Sequence, residues 1–226
     1  MMKPVVAFVG KRNSGKTTVL EKVIAELARR GRKVGVIKHD AHRFEIDHEG
    51  KDSYRLKHAG AKTAAITSSE NFALVSDLEE PLELETIAAR YFADCEIVLA
   101  EGWKKESRVK IEVFRKEVHD EPLCPADDKG GLLAIVTDDD VDPGVRKFAM
   151  DDITGIADLI EEMFVSDTEE YETRLIVDGK NIVIKGFVQE FIGNVLDGAV
   201  KSLRGCEDAK TIEIRLRLGR KRKKED

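Results

Sequence analysis

The stretch FVGKRNSGKTTVL, residues 8–20, restricts what this chain can fold into more than any other. Gly10, Gly15, Lys16 and Thr17 satisfy the pattern G-x-x-x-x-G-K-[ST]. Average residue usage produces such a match by chance in roughly one per cent of chains this long, so the pattern is informative before its context is considered. The context agrees: an apolar run ends at Gly10 and an amphipathic run begins near Lys16. A strand would thus enter a loop whose successive backbone N–H groups curl around an anion, with the positive end of the next helix aimed at the same point. Gly10 and Gly15 permit backbone conformations and a close approach that a Cβ would obstruct. Lys16 reaches the β- and γ-phosphates, and the Thr17 hydroxyl ligates Mg²⁺. The candidate nucleotide-binding residues are therefore Gly10, Lys11, Arg12, Asn13, Ser14, Gly15, Lys16, Thr17 and Thr18. Lys11 stands where some dimeric ATPases place a lysine that enters the partner's site, although a lysine in a loop is also simply solvated charge.

Beyond the loop, short apolar runs alternate with amphipathic stretches over the first three quarters of the sequence. This is the pattern of βα units stacked into a mostly parallel sheet flanked by helices, an α/β fold of P-loop NTPase type. Strands are expected at 5–10, 34–39, 63–67, 97–100, 111–114 and 132–137. Helices are expected at 17–29, where Val19, Leu20, Val23, Ile24 and Leu27 form a stripe that Gly31 stops, and at 82–92 and 153–164. After residue 166 the pattern changes. Two β-rich runs flank Asp178-Gly179-Lys180-Asn181, a hairpin signal, a helix is expected over 187–203, and Ile212, Ile214, Leu216 and Leu218 alternate with polar residues as a last strand. The expected organisation is a nucleotide-binding domain over 1–166, a small α+β module of ββαβ order over 167–219, and a charged tail over 220–226.

A Mg²⁺–triphosphate site needs an acidic side chain at the end of a neighbouring strand, to hold the ion through water or to position an attacking water. Asp40, after VGVIKH, and Glu101, after EIVLA, both qualify. They are the candidate catalytic residues and, with Thr17, the candidate metal-binding residues. Residues 38–60 hold four of the five histidines. His39, His42 and His48 invite a metal reading, but a pair three apart without cysteine falls short of the usual structural zinc spacings. Contacts to an anion or a pterin, and a plain solvated loop, are the other readings.

Composition narrows the class. With 42% hydrophobic residues and 5 prolines in 226, the chain can bury a core. Its formal net charge of -6 argues against a protein that coats nucleic acid over its whole surface. Cys95, Cys124 and Cys206 are widely spaced and show no C-x-x-C motif, which fits a reducing cytoplasm. The start MMKPVVAFVG leads straight into the loop and leaves no room for a signal peptide. No apolar run approaches the roughly 18 residues of a membrane span.

The blocks GKRNSGKTTVLEKVI, VGVIKHDAHRFEID followed by GKDSYRLKHAGA, and VLAEGWKKESRVKIEVFR occur in this order across most of residues 4–137. With these blocks the chain resembles the molybdopterin-guanine dinucleotide biosynthesis adapter (MobB) family. The resemblance implies a P-loop domain that binds GTP with Mg²⁺, hydrolyses it slowly at best and forms a homodimer. It also implies assistance to a partner guanylyltransferase that joins GMP to molybdopterin. Carried over residue by residue, it places the phosphate site at Gly10 to Thr18 and the acidic residues around magnesium at Asp40 and Glu101. His39, Asp52, Ser53 and Arg55 fall in the family blocks without a fixed chemical role. Glu49 stands where the family often has proline, and the ββαβ module lies outside the resemblance.

The choice of guanine rests chiefly on the resemblance. The N-K-x-D motif of ordinary GTPases is absent, and AIVTDDD places Asp138, Asp139 and Asp140 after a strand, where a carboxylate could accept hydrogen bonds from guanine N1–H and N2–H. Two other functions stay open. A small-molecule P-loop kinase would need an arginine-bearing lid, for which Arg43 and Arg55 are the candidates. A GTP-driven metallochaperone would use the histidine-rich stretch. The C-terminal module could serve dimer contact, partner docking or polyanion binding.

Overall fold

A computed structural model of the chain describes residues 5–40, 47–104, 107, 109–124, 131–164, 173, 175–178 and 180–214. Its centre is a six-stranded sheet: β1 (Val5–Val9), β2 (Val34–Lys38), β5 (Ile97–Glu101), β6 (Lys110–Val113), β7 (Leu132–Val136) and β8 (Arg146–Phe148). The spatial order is β2-β5-β1-β6-β7-β8, and every neighbouring pair runs parallel. β1, VVAFV, lies inside the sheet with all five residues buried, as expected of a strand covered on both faces. Alternate side chains serve opposite cores. Val6 and Phe8 pack with Val19, Leu20, Val23 and Leu27 of α1 (Lys16–Arg29) and with Ile156 and Ile160 of α4 (Ile153–Phe164). Val5, Ala7 and Val9 pack with Leu84 and Ala88 of α3 (Leu84–Tyr91). Arg30 ties α1 to α4 through ion pairs with Asp158 and Glu161, both 2.6 Å.

Parallel strands with helices on both faces put every strand's C-terminal end on one edge of the sheet, where open α/β sheets bind ligands. β1, β5, β6 and β7 deliver Gly10, Glu101, Arg115 and Asp138 to that edge.

The expected strand at 63–67 forms, but outside this sheet. β3 (Thr63–Thr67) pairs antiparallel with β4 (Phe72–Ser76) as a separate two-stranded hairpin. TAAIT lacks the apolar run that burial on both faces requires, and four of its five residues are exposed. The turn is locked by Ser68, whose Oγ accepts the Glu70 and Asn71 N–H groups at 3.2 and 3.0 Å. A short helix, α2 (Asp52–His58), precedes it.

Glu112, on β6, is buried although charged. Its carboxylate accepts the Leu123 N–H at 2.6 Å and the Cys124 N–H at 2.9 Å, which fastens the segment after β6 against the sheet. Glu112→Ala would strand one buried and one half-buried donor and is expected to cost about 3 kcal/mol. Urea denaturation reads this as a lower midpoint at unchanged slope.

The chain divides into two compact units. The one just described consists of Lys3–Ser166 and Ile176–Asn181, and the other is built mainly from Asp167–Leu175 and Ile182–Asp226. β9 (Leu175–Val177) and β10 (Lys180–Ile182) form the expected hairpin, with Asp178 left-handed at φ 49°, as a tight Asp-Gly turn demands. α5 (Gly186–Lys201) follows, held at its start by a Gln189 Nε2–H bond to the Ile184 carbonyl at 3.1 Å. The last expected strand does not form over 211–214, and its remainder and the tail lie outside the described residues. No helix among the described residues is long and apolar enough to cross a membrane.

Candidate functional site

β1 ends at Val9, and the next residue turns the chain with φ 149° at Gly10. A Cβ there would lie 2.4 Å from the Val113 carbonyl oxygen and 2.8 Å from Ser14 Oγ, so only glycine fits beside β6. Asn13 and Gly15 are left-handed, at φ 67° and 90°. Gly15 caps α1 without any side-chain hydrogen bond. The N–H groups of the first helical turn therefore open into the loop. Ser14 Oγ is buried without a hydrogen-bond partner among the described residues. A glycine-rich loop that opens at a helix N-terminus is a candidate anion site.

Lys16 and Thr17 place the charges. Lys16 Nζ donates to the Lys11 carbonyl at 2.7 Å, which holds the ammonium over the loop. Desolvation lowers its pKa, and the positive charges of Lys104 and Lys38 act the same way against the opposing pull of Glu101. Such a lysine is short of anionic partners, and phosphate oxygens would supply them. Thr17 Oγ1 lies 3.1 Å from both carboxylate oxygens of Glu101. This hydroxyl–carboxylate pair, on α1 and the adjacent strand end, is the donor set that Mg²⁺ takes when substrate phosphates and water complete its shell.

The structure thus brings Thr17 and Glu101 together as the sequence leads one to expect. Asp40 stands at the same edge, two residues past Lys38, which pairs in register with Glu101. Lys11, Arg12, Asn13 and Thr18 are exposed around the loop. Of the histidines, His39 meets Trp103 with ring centroids 4.7 Å apart, and His58 stacks on Tyr54 at 3.8 Å within α2. His42 and Arg43 lie outside the described residues, and Arg55 pairs with Asp52 at 3.2 Å. Among the described residues, no group of three or more His, Cys, Asp or Glu could hold a metal ion.

Sequence reasoning passed over one neighbour of the loop. Arg115, two residues past β6, reaches Gly15, where its Nη2 and Nε lie 3.6 and 3.7 Å from the position of a Cβ. The signal was a cation directly after the apolar strand end IEVF.

Residues 5–138 match the family described as MobB, molybdopterin guanine dinucleotide synthesis protein B. The molybdopterin-guanine dinucleotide biosynthesis adapter protein of Escherichia coli is 35% identical over 164 residues, 71% of this chain and 93% of that protein. Its Haemophilus influenzae counterpart is 36% identical over 70% of this chain and 88% of its own length. A Methanocaldococcus jannaschii relative is 25% identical over 94% of this chain, so similarity reaches the C-terminal segment that sequence reading leaves outside it. Among solved structures, Bacillus subtilis MobB superposes with a TM-score of 0.57 at 27% identity, covering 72% of this chain and 98% of that one. On the family match and the relatives together, this chain belongs to the MobB family, with its P-loop NTPase-like α/β fold.

Proposed function

We propose that the chain is a GTP-binding adapter in molybdopterin guanine dinucleotide biosynthesis. It holds Mg²⁺–GTP at Gly10 to Thr18 and assists a partner guanylyltransferase that joins GMP to molybdopterin. The observation that carries the reading is the Thr17 hydroxyl 3.1 Å from both Glu101 oxygens, beside a desolvated Lys16. In it, Thr17 and Glu101 hold the magnesium, Asp40 supports them from the end of β2, and the first turn of α1 holds the phosphates. The metal neutralises phosphate charge when bound. Hydrolysis is slow and incidental to delivery of the nucleotide.

The protein works in the cytoplasm as a homodimer and binds neither membrane nor nucleic acid. The exposed Ile66, Phe72 and Leu74 of the β3–β4 hairpin are apolar surface that a second copy would cover. The nucleotide-binding domain spans 1–166, the small module 167–219 and the charged tail 220–226. Addition of the chain to the guanylyltransferase with molybdopterin and limiting GTP is expected to speed dinucleotide formation, and no change would refute the adapter role. For the metal, Glu101→Gln is expected to reduce the gain in GTP affinity brought by Mg²⁺ about tenfold, near the 1.4 kcal/mol of one charge-assisted contact. A gain equal to that of wild type would take Glu101 out of the magnesium site.

A further inference from the structure

Positive charge gathers where β2 and β5 end. Lys38 closes β2 with its Nζ 3.9 Å from Glu101 Oε2, and Lys104 follows β5 after Gly102 and Trp103. Beyond desolvation, the leading cause, the charges of Lys104 and Lys38 lower the Lys16 pKa against the pull of Glu101, so the three ammonium groups share one neighbourhood. Lys38 and Lys104 are exposed, and Lys104 makes no hydrogen bond or ion pair among the described residues. Because the strand order is β2-β5-β1, the end of β2 stands on the side of Glu101 away from the glycine loop. A triphosphate held by that loop, by α1 and by Lys16 leaves Lys38 and Lys104 for another anion.

The backbone turns sharply to bring Lys104 there. Gly102 and Trp103 are both left-handed, at φ 97° and 56°. That conformation is strained for a bulky side chain and persists only where the surroundings impose it, as they do at ligand sites. Here the Gly102 N–H donates to the Phe8 carbonyl and the His39 N–H to the Glu101 carbonyl, both at 3.0 Å, while Trp103 packs against the core of Val5, Ala7, Val9 and Leu84. The exposed His39 ring meets Trp103. The indole N–H is buried without a hydrogen-bond partner among the described residues, a donor that lacks its acceptor. Two lysines beside an aromatic pair are the combination that holds a ring and the phosphate attached to it.

We propose that Lys38, Lys104 and the His39–Trp103 pair form a second ligand site, which takes the phosphomonoester that accepts GMP. The proposal rests on the adapter reading above: joining GMP to its acceptor gives a dinucleotide, so that acceptor presents a terminal phosphate, and its pterin supplies the ring. Trp103 is the only tryptophan in the chain, so its fluorescence reports on this turn alone. The test titrates the full chain, saturated with Mg²⁺–GTP, with hydroxymethylpterin phosphate, unphosphorylated hydroxymethylpterin and inorganic phosphate. The ester is expected to change the emission saturably, with an affinity about tenfold above that of either fragment. Lys104→Ala removes an exposed side chain, so the fold is not at stake. It is expected to weaken the ester about tenfold, the loss of one charge-assisted contact, and to leave Mg²⁺–GTP affinity within about threefold. Inorganic phosphate binding as tightly as the ester, an ester affinity untouched by Lys104→Ala, or no response at all overturns the second site and leaves the GTP reading standing. Equal losses of ester and GTP affinity in Lys104→Ala would assign the lysine to the triphosphate and overturn the second site as well. Failure of wild type to bind Mg²⁺–GTP overturns both readings.

Discussion

Lys16→Ala is expected to weaken Mg²⁺–GTP binding at least about 100-fold, while the melting temperature of the free protein hardly moves. The affinity effect follows from the two phosphate contacts the ammonium would make, each charge-assisted and together worth about 3 kcal/mol or more. The stability effect is small because, among the described residues, the Lys16 side chain makes a single hydrogen bond, to the exposed carbonyl of a loop residue, Lys11, and the burial that lowers its pKa already disfavours its charge. Removal of such a side chain is expected to change stability by less than about 1 kcal/mol. Parallel calorimetric titration and thermal denaturation of wild type and variant would check both halves. An undiminished affinity would place the triphosphate elsewhere.

Gly10→Ala should behave in the opposite way and damage the fold first. Its methyl group would sit 2.4 Å from the Val113 carbonyl oxygen and 2.8 Å from Ser14 Oγ, at a φ of 149° that suits only glycine. One of those atoms is backbone of β6, inside the sheet, so β1 and β6 would have to part. The expected loss is about 4 kcal/mol, or roughly 10 °C in melting temperature for a chain of this size, with nucleotide binding lost as well. Gly31→Ala is the control. Gly31 is left-handed at φ 83° but has nothing within 4 Å of its Cβ position, so only backbone strain of about 1 kcal/mol applies. If the two variants melt together, close packing at the start of the loop is not what requires glycine at position 10.

The parts of this molecule that could be read in the sequence are those where one physical rule acts alone. VVAFV ahead of a glycine loop has to be a central strand, and the stripe from Val19 to Leu27 has to be a helix against it; both fall within a residue of expectation. Glu101 was legible for a similar reason, since a carboxylate closing the apolar run IVLA cannot turn into the core. The hairpin of β3 and β4 was not, because TAAIT reads as a strand from its β-branched residues while its partner, FALVS, carries no stronger signal and is mostly exposed. β8 escaped because three residues, RKF, are too short for any period to register. Of the candidate site, the loop was local and readable, and Thr17 and Glu101 each closed a readable local pattern although they lie 84 residues apart. The cationic cluster was not, because Lys16, Lys38 and Lys104 come from three separated stretches that only the strand order β2-β5-β1 brings to one place.

A crystal structure of the full chain with Mg²⁺ and a non-hydrolysable GTP analogue would test the central claim most directly. The triphosphate is expected against the N–H groups of Gly10 to Thr18. Lys16 would have turned from the Lys11 carbonyl to the phosphates, and a magnesium ion would part the Thr17 hydroxyl from the Glu101 carboxylate. A nucleotide bound away from the loop, with the Thr17–Glu101 contact and the Lys16–Lys11 bond both intact, would contradict it.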